Sequence, residues 1–375
     1  MATPFSDRYP RAAFIQGLDL AEGFYHEVVR PMLGQRLPDL QYSAALIGGG
    51  SEVLGFDTEM SPDHDWGPRV MLFLQNDAFD ARASQIRALA MRHLPLTYRD
   101  YPIRNYAPDI RDAGARHRLR PGDPGLEPRI EVYTLHGFLG KYMGLDLEQP
   151  MSPADWLTIP QHKLRSVVAG RVFHDGLGLQ AVRDRFAWYP HGVWLYVLAS
   201  CWARIGEDEV LTGRAGSVGD KLGSAVIAWR LVRDAMRLAL LMERSYPPYA
   251  KWLGSAFAQL RCAATLLPLL ERVGAAPGWQ ERDRALADVY RELVRMHNAL
   301  GLTPPIPCEP RRFWERPFTI IGGGSIAEAL RRGIRGPSVR AIADRWLIGS
   351  VDLVSDCHAL DDDPALRPVL MALYQ

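Results

Sequence analysis

Between Ala44 and Leu74 the chain reads AALIGGGSEVLGFDTEMSPDHDWGPRVMLFL. Two acids, Asp63 and Asp65, flank His64 ahead of one apolar run, and Gly48, Gly49, Gly50 and Ser51 close an earlier one. In an extended chain residues two apart point to the same side, so Asp63 and Asp65 would present their carboxylates together while His64 faces away. Hard divalent cations want such oxygens. Magnesium keeps octahedral geometry, takes one or two protein carboxylates, and fills its other positions with waters and substrate phosphates. Gly49 and Gly50 lack a Cβ, so the backbone there can turn sharply and bring N–H groups close to an anion. Ser51 can cap a short helix expected over Glu52 to Gly55, or offer its hydroxyl to a phosphate. Together these residues suit a metal-bound polyphosphate, such as a nucleotide carrying magnesium. The plain alternative is a solvated turn opened by Ser61-Pro62-Asp63, and a glycine run before a helix is weak by itself.

Those residues need a scaffold. Ala44 to Ile47 reads as an apolar strand running into the glycine turn, and a second apolar run ends at Leu74. Gly67-Pro68 interrupts that second run, and proline cannot donate to a sheet ladder, so a bend or bulge is expected after Trp66. Apolar positions at Leu20, Phe24, Val28, Val29 and Met32 predict a helix over Leu18 to Leu33, and Ala81 to Leu94 predicts a second one packed on the sheet. Asp100 to Pro128 is rich in Pro, Gly, Arg and Asp and reads as a long loop. It carries Arg104, Arg111, Arg116, Arg118 and Arg120, either a triphosphate contact or a solvated cluster. Arg129 to Leu135 then reads as a short strand with Glu131 between Ile130 and Val132.

From about Pro150 helical periodicity takes over, in segments such as His162 to Phe173, Val193 to Ile205, Gly216 to Glu243 and Glu281 to Leu300, with Ser152 and Ser217 as helix starts. The expected fold class is α+β: a small α/β domain with a mixed sheet over residues 1–149, then a larger all-α bundle over 150–375.

The stretch GSEVLGFDTEMSPDHDWGPR resembles the DNA polymerase beta-like nucleotidyltransferase superfamily. Its signature is an apolar residue, Gly, Gly or Ser, a spacer, then Asp, any residue, and Asp or Glu. Gly50-Ser51 and Asp63-His64-Asp65 stand at those places, although His64 replaces a usually apolar residue. More narrowly, the run looks like a bacterial family of uncharacterised nucleotidyltransferase-like proteins that carry DHDWGPR nearly as it stands here. Arg316-Pro317-Phe318 and Gly349-Ser350-Val351-Asp352 also look like that family's C-terminal part. The resemblance implies transfer of a nucleoside monophosphate, with Mg2+ or Mn2+ as cofactor and ATP or another nucleoside triphosphate as co-substrate. Asp63 and Asp65 would hold the metals and Gly49, Gly50 and Ser51 grip the terminal phosphates. Two-metal phosphoryl transfer calls for a third carboxylate, which the superfamily places on a later strand between apolar neighbours. Glu131 fits that place, its alternative being a surface glutamate. Tyr246-Pro247-Pro248-Tyr249-Ala250-Lys251-Trp252 resembles a run in the helical domains of related nucleotidyltransferases, and Lys251 there would neutralise nucleotide phosphates or be merely a helix-start lysine.

Composition sets the outer bounds. The 375 residues carry 44 Lys and Arg against 43 Asp and Glu, so nothing favours a long nucleic-acid track. Cys201, Cys262, Cys308 and Cys357 are too scattered for paired-thiol spacing and read as reduced residues of a cytoplasmic protein. No secretory leader and no membrane-spanning run is expected. The expected partners are a nucleoside triphosphate and an acceptor on a small molecule or a protein. A second glycine-serine run, Gly322 to Ser325, has no acidic pair at comparable distance and reads as a turn opening a helix. Asp352, Asp356 and His358 read as a polar stripe, and Arg237 and Arg244 as solvated helix residues. A different class stays open: a nucleotide-binding module without turnover, acting through its helical domain on a partner protein.

Overall fold

Four strands build the sheet: β1 (Tyr42–Leu46), β2 (Val70–Leu74), β3 (Ile130–Thr134) and β4 (Arg171–Asp175). In the computed structural model, residues 14–63, 66–77, 79–104, 107–108, 116–117 and 128–375 are described, and for residues 63, 107–108, 116–117, 358 and 361 only the backbone. The strand order is β3-β2-β1-β4. β1 runs antiparallel to β2, with Ala45 opposite Met71, and antiparallel to β4 on its other edge. β2 and β3 run parallel, with Met71 opposite Glu131 and Phe73 opposite Tyr133. The sheet is therefore mixed, and the chain is α+β.

The two-residue period sorts the side chains. Tyr42, Ala44 and Leu46 of β1, Val70, Leu72 and Leu74 of β2, and Ile130 and Val132 of β3 join one buried cluster. Helix residues Leu20, Phe24 and Tyr25, and Ala83, Ile86 and Ala90, complete it. The other face carries Ala45, Met71, Phe73, Glu131 and Tyr133, and helix Leu135–Met143 lies against it, with the Phe138 ring 5.6 Å from both Phe73 and Tyr133. One face makes the core; on the opposite face Ala45, Met71 and Phe73 are also buried, while Glu131 is half-exposed.

Several local expectations shift. The first helix runs Gly17–Phe24, widens into a π turn over Tyr25–Val29, and continues as Arg30–Arg36 with Pro31 in its first turn. The second spans Phe79–His93. The segment expected as one helix over His162 to Phe173 is helix Gln161–Val168 followed by β4. Gly170 makes the switch: its φ is +75°, and a Cβ there would stand 2.2 Å from the Leu46 carbonyl oxygen. Arg183 then caps the helix end, its Nε donating to Val167 O at 2.9 Å and its Nη2 to Val168 O at 2.8 Å. Asp175 fastens β4 by accepting from the Ser43 hydroxyl at 2.9 Å and the Leu179 N–H at 2.7 Å.

By contact the chain divides into two units, one running to Leu147 and resuming over Ser166–Ala187, the other comprising Glu148–Arg165 and Trp188–Gln375. A single cut after residue 149 was expected; the segment carrying β4 instead returns to the first unit, because β4 supplies the sheet edge beside β1. The second unit is helical apart from a short pairing of Arg311–Arg312 with Thr319–Ile320. Of its helices, His191–Asp208 contains the expected Val193 to Ile205, Trp279–Ala299 overlaps the expected Glu281 to Leu300, and Lys221–Met242 starts later than the expected Gly216. Ser152 opens helix Pro153–Thr158 with a capping box to Asp155. Ser217 does not open a helix but ends Leu211–Ser217, and Asp220 caps the next one by accepting from the Gly223 N–H at 2.7 Å. The four cysteines form no disulfide. Among the described residues no helix is long and apolar enough to cross a membrane.

One buried histidine ties this unit to pH. His297 is 1% exposed, its Nε2 hydrogen-bonds the Thr303 hydroxyl at 2.9 Å, and burial pushes its pKa down to about 4. The unfolded chain would bind that proton near the ordinary value of about 6.5, so the stability is complete above about 6.5 and is lost as pH falls toward 4. The loss expected from this group is about 3 kcal/mol. Urea unfolding at pH 7 and pH 4.5 should show a steeper decline for the wild type than for His297→Phe; equal declines would contradict the assignment.

Candidate functional site

The glycine turn leaves β1 with Ile47 and Gly48 buried and Gly49 and Gly50 exposed. The Gly48 N–H donates to Ser166 O at 2.9 Å, which anchors the turn. Among the described residues the N–H groups of Gly49 and Gly50 have no acceptor. Gly50, at φ 134° and ψ 141°, is the N-cap of helix Ser51–Leu54. Ser51 is thus the first helical residue rather than the cap, and no side chain caps this helix. Such a turn, opening onto a helix start, is ready to receive an anion.

The turn, β2, β3 and helix Leu135–Met143 meet at a cavity of about 180 Å³. Gly48, Gly49, Arg69, Glu131, Tyr133 and Lys141 line it, with the aromatic rings of Phe138 and Tyr142 behind. Of the residues singled out in the sequence, Gly49 and Glu131 are brought together here. Thr134 caps the helix by accepting from the Gly137 N–H at 2.9 Å, which sets Lys141 two turns along and over the Tyr133 ring at 5.8 Å. Among the described residues Lys141 has no carboxylate partner.

Arg69 and Glu52 are the residues that pattern reading missed. Arg69 follows the Gly67-Pro68 bend, where Gly67 takes φ +138° as the interrupted strand required. Its Nε donates to Glu52 Oε1 at 2.9 Å and its Nη2 to the Gly49 carbonyl at 2.5 Å, while Nη1 stands 3.7 Å from Glu131 Oε1. Glu52 is 2% exposed and Arg69 14%, so this pair is largely shielded. Glu131, 43% exposed, also accepts from the Tyr133 hydroxyl at 2.7 Å. Burial and then the Glu131 charge hold the Tyr133 phenol well above the usual tyrosine value, so it remains a donor. The available signal was that Glu52 follows the glycine turn directly and Arg69 closes the DHDWGPR run.

Asp63 ends the turn Ser61–Asp63 but its side chain, and all of His64 and Asp65, lie outside the described residues, as do Arg111, Arg118 and Arg120. Asp57 serves the scaffold: its Oδ2 accepts from the Trp66 indole at 3.0 Å and from the Gly17 N–H at 2.7 Å. Lys251 belongs to the helical unit, on the turn Ala250–Trp252, with its ammonium 4.8 Å from the Trp252 ring, and is not among the residues lining the cavity. Tyr246 of the same motif is a core ring packed on Trp188 and Tyr189. Arg237 pairs with Asp356 at 3.6 Å and donates to Asp352 O at 2.9 Å, so the stripe that includes Asp352 and Asp356 is structural.

The second glycine-serine run offers an internal comparison. Gly322 is the N-cap of helix Gly323–Gly333, and the N–H groups of Ile321 and Gly322 donate to Glu209 Oε2 at 2.7 and 3.1 Å. Burial raises the Glu209 carboxyl pKa, and these backbone donors oppose the rise. Here the anion of a glycine turn is the protein's own carboxylate. At Gly48 to Gly50 the nearby Glu52 is taken by Arg69, and the donors of Gly49 and Gly50 face no carboxylate of the described residues.

A family model described as "Domain of unknown function (DUF4037)" matches residues 156–253. No curated protein matches the chain. A solved structure of a nucleotidyltransferase-like protein from Exiguobacterium sibiricum 255-15 is similar at 12% identity and a TM-score of 0.33, over 76% of this chain and 78% of that one. A likeness of that size carries no argument about activity, which has to come from the cavity's own residues.

Proposed function

We propose that the protein is a nucleotidyltransferase that moves a nucleoside monophosphate, most simply AMP from ATP, to a hydroxyl on a small molecule or protein. One observation carries the reading: a glycine turn with open donors, two cations and one carboxylate converge on a single cavity. A space of about 180 Å³ is small beside the roughly 300–1,000 Å³ of ligand pockets. The cavity would therefore take the phosphates of a nucleotide and leave base and sugar outside it.

In the reaction the acceptor oxygen bonds to the alpha phosphorus, the bond from that phosphorus to the bridging oxygen breaks, and the electron pair leaves on pyrophosphate. Arg69, Lys141 and the turn's N–H groups hold the beta and gamma phosphates and offset the charge that grows on the leaving group. Glu131, half-exposed at the cavity wall, would take the acceptor's proton. A divalent ion would support this chemistry by neutralising phosphate charge, and the residue types present fit it only in part. Among the described residues no group of three or more His, Cys, Asp or Glu could hold a metal ion, and Glu131 alone brings a carboxylate to the cavity. Magnesium or manganese would therefore require Asp63 and Asp65 beside Glu131.

The test is incubation with alpha-labelled ATP, magnesium and a cell extract. Labelled acceptor from the wild type, reduced roughly 10- to 100-fold in Lys141→Ala by loss of one phosphate cation, is the expected result. ATP binding without any labelled acceptor across a broad screen would favour the module that binds nucleotide without turnover.

A further inference from the structure

Glu52 is a buried carboxylate one residue beyond the glycine turn's last serine, and nothing in the reaction above uses it. Its Oε1 accepts from Arg69 Nε at 2.9 Å and lies 2.8 Å from Nη2, so one edge of the guanidinium is committed to it. The planar fork is thereby fixed in direction: Nη2 reaches the Gly49 carbonyl at 2.5 Å, and Nη1 is turned toward Glu131 at 3.7 Å. Both Gly49 and Arg69 line the cavity, and Glu52 does not. A Cβ on Gly50 would stand 2.6 Å from both Arg69 Nη2 and Glu52 Oε2, so the turn closes directly over this pair.

We propose that Glu52 is a positioning residue: it aims the Arg69 guanidinium so that its outer edge receives a polyphosphate in the cavity. This rests on the reading that the cavity takes nucleotide phosphates. It also has an unusual sign. Glu52 is an anion close to an anion site, so by charge alone its removal should tighten phosphate binding. If it acts by orienting Arg69, its removal should weaken binding, because an unheld arginine regains rotamer freedom and no longer holds Nη1 toward the cavity. A merely structural role would move stability without moving that sign.

The probe is inorganic tripolyphosphate, titrated calorimetrically into the full chain without divalent ion. Expected are measurable binding by the wild type, a loss of ten-fold or more in Glu52→Gln, a similar loss in Arg69→Lys although its charge is kept, and no further loss when the two are combined. Glu52→Asp keeps the charge but withdraws it by one methylene, and should also bind more weakly. It decides the matter if Glu52→Gln does not fold. Tighter or unchanged binding in Glu52→Gln or Glu52→Asp, with the wild type binding normally, would overturn the positioning role and leave the cavity reading intact. No binding by the wild type would overturn both.

Discussion

Asp63→Ala combined with Asp65→Ala is expected to abolish label transfer, by roughly 10^3-fold or more, while leaving the fold in place. The magnitude follows from the several kcal/mol that metal-bound carboxylates contribute to a phosphoryl-transfer transition state. Survival of the fold follows from how the segment is tethered. Trp66, directly after Asp65, is 2% exposed, its carbonyl accepts from Arg129 Nη1 at 2.7 Å, and its indole donates to Asp57 at 3.0 Å. The chain is thus pinned by Trp66, and neither of these anchors involves a substituted residue. Tripolyphosphate binding without divalent ion should persist in the double variant, because Arg69 and Lys141 are untouched. Transfer that survives both substitutions, with the thermal midpoint unchanged, would show that these acids hold no catalytic metal. Loss of transfer together with loss of folding would instead make them structural.

How far the chain could be read by pattern depends on which forces are local. β1, β2 and β3 announced themselves as apolar runs because each is buried on at least one face, and Glu131 was visible as the odd polar residue between two core positions. β4 was not visible. Val167, Val168, Val172 and Phe173 satisfy a helical period as readily as a strand, and only pairing with β1, over a hundred residues away, decides between them. Gly170 was the local clue. The glycine turn and its serine were legible, but of the two roles open to Ser51, cap or phosphate contact, the first belongs to Gly50 although serine commonly fills that place. Gly50 occupies it because the backbone there has a conformation serine would not accept. Arg69 and Glu52 escaped for a related reason: an ion pair across 17 residues has no period, and each partner alone looks like an ordinary surface charge. Lys141 stands in no motif, and its place depends on where helix Leu135–Met143 lies over β3.

The same geometry makes Gly50→Ala the sharpest test of how the turn is built. At φ 134° and ψ 141° Gly50 sits where residues with a Cβ are strained by about 1–3 kcal/mol. The added methyl would also stand 2.6 Å from Arg69 Nη2 and from Glu52 Oε2, closer than any Cβ can remain. The chain has two ways to respond, and both damage the cavity. If the backbone repaths, the Gly49 carbonyl leaves Arg69 and the N–H groups of the turn change direction. If the ion pair yields, Arg69 loses the carboxylate that orients it. Tripolyphosphate affinity is therefore expected to fall roughly 100-fold, equivalent to about 2.7 kcal/mol. Gly49→Ala provides the contrast. Among the described residues beyond its chain neighbours no atom lies within 4 Å of its added Cβ, and its φ is not positive, so it should lose several-fold less. Calorimetric titration of both variants separates the causes. Equal losses would mean that any bulk at the turn blocks the anion, whereas a much larger loss at Gly50 ties phosphate binding to the Glu52–Arg69 pair beneath it.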